Sequence, residues 1–161
     1  MPKENYIDSH LLGGAFIANQ LDRLANQISE QGELLLQDAG LEFPARTVSC
    51  VLLIGERGEI STADIASVLK QPHQLATQRV ELLITSKIVE RFVDPHDGRR
   101  KILRLTPSGA DQFERLQESL AEAARAFAGL FEEIECDLPA ITRRATEALE
   151  RSSVLDRIKA L

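Results

Sequence analysis

A dense group of positive charges lies beside a predicted turn in the second half of this 161-residue chain. Four cations fall within six residues, namely Arg99, Arg100, Lys101 and Arg104. The turn is Asp97-Gly98, whose residue types tolerate positive φ, and aliphatic and β-branched segments at 88–93 and 101–105 flank it. A cationic hairpin of this kind can bind the phosphates and the narrow minor groove of DNA. A solvated surface hairpin is the alternative.

A predicted helix from Pro72 to about Ser86 carries a second group of residues suited to DNA recognition. Its inward stripe is apolar, whereas the outward face carries Gln, Thr and His, which donate and accept hydrogen bonds. Gln in particular can pair with two atoms of adenine. A neutral solvent-facing helix is the alternative. The candidate DNA contacts are His73, Gln74, Thr77, Gln78 and Arg79 on this helix and Arg99, Arg100 and Lys101 on the hairpin.

Other kinds of chemistry have little support in the residue pattern. His96 and Asp97 are neighbours, but no Ser, Cys or second carboxylate stands at a spacing that predicts a triad or an acid–base pair. The three histidines are scattered, and none lies at metal-ligand spacing from another ligand. Cys50 lies in an apolar segment and is expected to be a buried core residue. We therefore expect no catalytic residue, no metal site, no cofactor and no enzyme.

Charge is distributed unevenly along the chain. The net charge is -6, but residues 61–105 carry eight Lys or Arg against five Asp or Glu, which makes this segment +3 and the remainder -9. An acidic body with a locally basic module can still bind phosphate. The longest aliphatic run, Val51 to Ile54, is far too short to cross a bilayer, and the N-terminus lacks an apolar signal region. We expect a cytoplasmic protein without a membrane partner.

The order of elements follows from apolar periodicity and from residues that begin helices. A long first helix is predicted over about 8–39, and a mostly apolar second helix over about 44–54, ended by glycine. Ser61, with an aspartate three residues later, begins a short third helix as a capping box does. The tight link from it to the helix at 72–86 indicates a helix-turn-helix. With the hairpin that follows, this segment is predicted to be a winged helix-turn-helix.

Both ends of the chain are predicted to form long helices with apolar stripes. Thr106 and Pro107 begin one helix after the hairpin, and Asp137 begins a last helix whose apolar side continues to Leu155. A second copy of the chain would cover these stripes, although packing of the first helix on the last two is an alternative. The expected fold is mainly α with a small β-hairpin wing. Its expected parts are an N-terminal dimerisation helix, the winged helix-turn-helix DNA-binding module and the C-terminal dimerisation helices, at 1–42, 43–106 and 107–161.

The wing motif resembles that of the MarR family of bacterial transcriptional regulators. The family pattern Asp-Pro-x-Asp-x-Arg occurs here as Asp94-Pro-His-Asp97-Gly-Arg99, and Leu-Thr-x-x-Gly occurs as Leu105-Thr-Pro-Ser-Gly109. Ile65-Ala66 and Val89-Glu90-Arg91 also fit the helix-turn-helix and the first wing strand of that family. The resemblance covers nearly the whole chain from about residue 8.

The resemblance implies a role for each part of the winged module. The fourth helix would enter the major groove, Arg99 would reach into the minor groove and Asp97 would brace the wing. An effector would bind where the first helix and the dimerisation helices meet this module. That junction is expected to be lined by aliphatic and small side chains with His10, Phe16 and Cys50, which suits a small apolar or aromatic molecule.

Two departures from the family pattern matter. Lys87 stands where the family often has Gly after the fourth helix, so the left-handed exit is either strained by about 1 kcal/mol or absent. Gln78-Arg79 stands where Arg followed by an apolar residue is common, so the recognised base sequence is not inherited from the family.

These patterns together predict a sequence-specific DNA-binding regulator. We expect a homodimer that binds double-stranded DNA at a pseudo-palindromic operator, acts most often as a repressor, and is released by a small effector. One alternative is a winged-helix module that binds proteins and not DNA. Another is a regulator that responds to oxidation through Cys50 or Cys136.

Overall fold

A computed structural model of the chain describes residues 5–98 and 100–161, so Arg99 lies outside the described residues. The chain divides into two compact units, one ending at Ser119 and the other beginning at Leu120. No helix in the described ranges combines the length and apolar character needed to cross a membrane. Within those ranges the main elements are α1 (Ile17–Asp38), α2 (Val48–Arg57), α3 (Thr62–Val68), α4 (His73–Thr85), β1 (Val89–Val93), β2 (Lys101–Leu105), α5 (Pro107–Glu133), α6 (Leu138–Arg151) and α7 (Val154–Lys159).

The core of the first unit forms where α2 and α4 bury their apolar faces. The predicted inward stripe of α4 is confirmed, because Ala76, Val80 and Leu83 are all fully buried. In α2, Cys50 and Ile54 are equally inaccessible, as the apolar character of this helix predicts. Full burial of a Val, Leu or Ile side chain stabilises a fold by about 1.5 to 3 kcal/mol. This packing fixes α4 on a rigid base.

Several predicted helix boundaries differ from the observed ones. The first predicted helix begins as a 3-10 turn at Gly13–Phe16, and regular α1 starts only at Ile17. Of Gly55 and Gly58, the two glycines predicted to end the second helix, the first lies within it. The helix continues to Arg57 and ends at Gly58, whose φ of 74° is a conformation that favours glycine.

The link between α3 and α4 confirms the predicted helix-turn-helix. Ser61 and Asp64 form the expected capping box, in which the Asp64 N–H donates to Ser61 Oγ at 3.1 Å. Pro72 is the N-cap of α4 and not its first helical residue. Its fixed φ is compatible with either position, and it has no N–H that would need a partner there.

Lys87, which follows α4, adopts the left-handed conformation. The φ of Lys87 is 59°, its N–H donates to the carbonyl of Ile84 at 3.0 Å, and the N–H of Ile88 donates to the carbonyl of Leu83 at 2.9 Å. These two bonds form a Schellman motif with Lys in the usual glycine position. The hydroxyl of Thr106 also donates to the Lys87 carbonyl at 2.7 Å. The first of the two alternatives, a strained left-handed exit, is the one observed.

The wing is the predicted antiparallel hairpin. Val89 pairs with Leu105 at its base and Val93 pairs with Lys101 towards its tip. Ile60 adds an isolated antiparallel bridge to Leu103, with hydrogen bonds of 2.9 and 3.3 Å, which the sequence pattern did not predict. The bridge joins the hairpin to the segment between α2 and α3.

The last predicted helix is wrong in extent, because two helices occupy that segment of the second unit. Helix α6 ends at Arg151, and Ser152 is extended with φ -153° and ψ 116°. Ser153 then forms a capping box with Asp156 and begins α7. In a continuous helix the N–H groups of these residues would bond to carbonyls of the preceding turn. Here the cap satisfies them, so a second helix begins within the apolar stripe.

Candidate nucleic-acid interface

The outward face of α4 presents polar side chains free to bind a ligand. His73, Gln74 and Gln78 are exposed, and Thr77 is half-buried. Within residues 5–98 and 100–161, the side-chain amides of Gln74 and Gln78 make no hydrogen bond. Each amide therefore keeps both its donor and its acceptor for another molecule. Four of the predicted contacts thus share one accessible face.

The hydroxyl of Thr77 is already oriented by its own helix. It donates to the backbone carbonyl of His73 at 2.9 Å and lies 3.4 Å from the Nδ1 atom of the same residue. Its oxygen remains available as an acceptor. The Thr77 side chain therefore has one fixed direction on the outward face.

The single acid on this face is neutralised by the wing. The carboxylate of Glu81 accepts a hydrogen bond from the guanidinium of Arg91 in β1. An uncompensated carboxylate here would repel a phosphate backbone. Arg91 therefore reduces that repulsion and links α4 to the hairpin.

The described wing cations differ in how they are held. Lys101 is exposed at the start of β2. Arg100 donates to the Asp64 carboxylate at 2.5 Å and lies 3.9 Å from that of Asp94, with about half of its side chain exposed. Arg104 pairs with Glu59 and also lies over the ring of Phe92, 4.9 Å from its centroid. Of the three, Lys101 is the most available to a phosphate.

Arg79 is not placed with the other predicted contacts. Its side chain is half-buried, and its guanidinium donates to Oε1 of Gln71 in the link before α4. Arg99, the residue expected to enter the minor groove, lies outside the described residues. The structure therefore brings together His73, Gln74, Thr77 and Gln78, and it places Arg100 and Lys101 on the wing.

The three residues expected to line an effector site lie in two different surroundings. The ring of His10 meets that of Phe16 edge-on, with centroids 6.2 Å apart, and the Leu12 N–H donates to His10 Nδ1 at 3.0 Å. Cys50 is fully buried, and burial raises the pKa of its thiol. Among the described contacts, none joins Cys50 to His10 or Phe16.

The sequence pattern identified Asp64 only as a helix cap, but it also anchors the wing. Its carboxylate accepts a hydrogen bond from Ser61 Oγ at 2.7 Å as well as from Arg100. Those two interactions, the Ser61 bond first, lower the pKa of Asp64. The sequence signal for the second role is weak, because the partners lie far apart in the chain and only the fold brings them together.

We expect the stabilising effect of Asp64 to depend on pH. Because its pKa is lower in the folded protein, its contribution is complete above the unfolded value of about 4 and is lost as pH falls through the folded value. Asp64→Asn should therefore lower the free energy of unfolding at pH 7 and have a shrinking effect below about pH 4. Chemical denaturation at both pH values measures this.

Asp156→Asn is the matched control, since Asp156 sits in the same kind of cap with Ser153 but without an arginine partner among the described contacts. The Asp64 substitution should cost more at pH 7. If Asp64→Asn lowered the free energy of unfolding equally at pH 7 and pH 3, the ionised carboxylate would not be what stabilises this region.

Comparison with known proteins points to one family. Residues 40–100 match the sequence model of the MarR family. The HTH-type transcriptional repressor IacR of Pseudomonas putida is 30% identical over 113 residues, which cover 70% of this chain and 66% of that protein, just under two thirds of its length.

Solved structures show the same fold at low sequence identity. S. aureus MepR in complex with DNA superposes with a TM-score of 0.66 at 18% identity, covering 84% of this chain and 96% of that one. The regulator BldR from Sulfolobus solfataricus gives a TM-score of 0.62 at 16% identity, covering 91% and 99%. These similarities confirm the predicted mainly α fold with a hairpin wing.

Proposed function

Because the chain belongs to the MarR family, we propose that it is a sequence-specific DNA-binding transcriptional regulator, acting as a repressor and not as an enzyme. The observation that carries this proposal is the outward face of α4, where the exposed amides of Gln74 and Gln78 have no hydrogen-bond partner among the described residues. A helix of this width fits the major groove, and Gln can pair with adenine there. The repressor activity named for IacR and the DNA bound to MepR support the proposal.

The wing supplies the phosphate contacts in this proposal. Lys101 is exposed, and Arg100 keeps about half of its side chain accessible while it is held beside α3. Arg99 belongs to the same cationic run and takes the minor-groove role that the family resemblance implies. The resulting division is that α4 reads bases and the wing anchors the protein on the backbone.

We further propose a homodimer formed by the helices within 1–42 and 107–161. Large apolar side chains on these helices are exposed in the single chain, among them Leu21, Leu24, Ile28, Ile141, Leu155 and Ile158. A two-fold dimer would cover them and would place two copies of α4 about one turn of DNA apart, which requires a pseudo-palindromic operator. A monomer in sedimentation at micromolar concentration that still binds DNA specifically would contradict this.

Selection of bound sequences from random DNA tests the function. We expect a pseudo-palindromic site whose affinity falls about a thousandfold between 50 and 200 mM salt, because released counterions dominate binding to phosphate. The alternative, a winged-helix module that binds proteins, predicts no enriched site and no steep salt dependence.

We also propose that a small apolar or aromatic effector releases the protein from DNA. The contact between the His10 and Phe16 rings supports an aromatic-lined site near the start of α1, whereas Cys50 is closed to solvent in this conformation. An effector that favours the non-binding state by about 1 to 3 kcal/mol lowers operator affinity roughly five- to 150-fold, and DNA opposes its binding equally.

Oxidation is the rival signal, through either free cysteine. The double variant with Cys50→Ser and Cys136→Ser distinguishes the two. We expect it to keep both DNA binding and release. If it binds DNA but no longer responds to the condition that releases the parent protein, oxidation is the signal.

A further inference from the structure

Arg79 lies on the buried side of α4. It follows Ala76 by three residues and precedes Leu83 by four, which places all three on one face of the helix. Ala76 and Leu83 are fully buried, and Arg79 is half-buried between them. Gln74 and Gln78, in contrast, are exposed on the outward face. The direction of Arg79 therefore separates it from the side chains proposed to read DNA.

The partner of Arg79 belongs to the turn of the helix-turn-helix. Helix α3 ends in a Schellman motif, in which the Lys70 N–H donates to the Ser67 carbonyl at 3.2 Å and the Gln71 N–H donates to the Ala66 carbonyl at 3.0 Å. Lys70 has a left-handed φ of 48°. The side chain of Gln71 then accepts a hydrogen bond from Arg79. Gln71 thus binds α3 through its backbone and α4 through its side chain.

Cys50 of α2 lies near this pair. Its thiol is fully buried, and the positive charge of Arg79 and the polar side chain of Gln71 both oppose the rise in pKa that burial causes. Both side chains therefore lie close to the same buried sulfur. The pair therefore connects the turn to α4 at a point close to α2.

This arrangement is not what stability alone would favour. Arg79 Nε and Gln71 Nε2 are buried with no hydrogen-bond partner in the described part of the chain. A buried donor without a partner costs free energy, and an apolar side chain of similar length avoids that cost. The presence of an arginine at this position is therefore better explained by a role other than stabilising the fold.

We infer that Arg79 is a positioning residue, which holds α4 at a fixed angle to α3 through Gln71, and that it does not contact DNA. The inference rests on the proposed function, because the angle matters only if α4 enters a groove. A helix held by this bond presents Gln74 and Gln78 in one orientation. Without the bond, the same side chains would reach the bases in poorer geometry.

The test compares Arg79→Met, Gln71→Met and the double variant with Lys101→Met, in the full chain. Arg79→Met and Gln71→Met should each weaken operator binding about tenfold, within the range of about five- to 150-fold that a lost base contact costs. The double variant should be no weaker than either single variant, because the two side chains act as one unit. The slope of log affinity against log salt should stay unchanged for these three.

Lys101→Met is the control for a phosphate contact, and it should flatten the salt slope by about one, the change expected when one phosphate is no longer neutralised. A second readout needs no DNA: hydrogen exchange at the Lys70 and Gln71 amides should become faster in Arg79→Met, because the link is held less firmly. The free energy of unfolding should not fall in the double variant, because it leaves neither partner of the hydrogen bond unpaired.

Two results would overturn the inference. A flattened salt slope in Arg79→Met, like that of Lys101→Met, would make Arg79 a phosphate contact. Unchanged affinity together with unchanged hydrogen exchange would leave it without a positioning role. If the parent protein enriches no DNA sequence, the proposed function is wrong, but the positioning role of Arg79 is still open to test. Exchange at the Lys70 and Gln71 amides then decides alone whether Arg79 holds the link.

Discussion

Gly109→Ala is expected to destabilise the folded protein by about 3 kcal/mol or more, at the upper end of the range for overpacking. An added Cβ would lie 2.0 Å from the carbonyl oxygen of Ile88 and 3.0 Å from its carbonyl carbon. Both are backbone atoms, so no side-chain rotation relieves the clash. The same carbonyl accepts the Thr106 N–H at 3.0 Å, and Thr106 Oγ1 accepts the Gly109 N–H at 2.9 Å.

The substitution would therefore separate α5 from the end of α4 at the base of the wing. Gly129→Ala is the matched control, because it lies in the same helix and its added Cβ would meet nothing within 4 Å. It should stabilise the protein by about 0.5 to 1 kcal/mol, since alanine is the better helix former. Equilibrium denaturation of both variants measures the difference. Equal effects of the two substitutions would mean that the close approach at Ile88 is not rigid.

The features that were predictable from the sequence are those encoded by neighbouring residues. Ser61 and Asp64 form a helix cap within four residues, and Thr106 and Gly109 begin α5 in the same local way. The hairpin follows from its turn residues and the strand-forming segments beside them. Each of these signals acts over one or two turns of chain, so no knowledge of distant residues is needed.

Features that depend on competing local signals or on distant partners were harder to predict. The apolar stripe from Leu138 to Leu155 favours one helix, yet the cap at Ser153 divides it, because a local hydrogen-bonded start outweighs periodicity. The pairing of Arg100 with Asp64 joins residues that only the fold brings together. Arg79 is an intermediate case. Its spacing from Ala76 and Leu83 places it inward, but its charge favours a DNA contact.

The exposed glutamines of α4 should carry the largest share of sequence discrimination. Replacing Gln74 or Gln78 by alanine should cost about 1 to 3 kcal/mol for each half-site and relax the preference at one base position. Arg99→Ala should act differently. Because a wing contact is made to any sequence, this variant should weaken all DNA alike and flatten the salt slope by about one for each phosphate that the arginine neutralises.

Competition binding with single-base operator variants, repeated at several salt concentrations, separates the two kinds of loss. Gln117→Ala is a suitable control, since Gln117 is an exposed glutamine on α5 and not on the outward face of α4. It should change neither affinity nor preference. The assignment of roles fails if Gln78→Ala weakens every sequence equally. It also fails if Arg99→Ala leaves both affinity and salt dependence unchanged, because a wing without a phosphate contact has no part in the proposed binding mode.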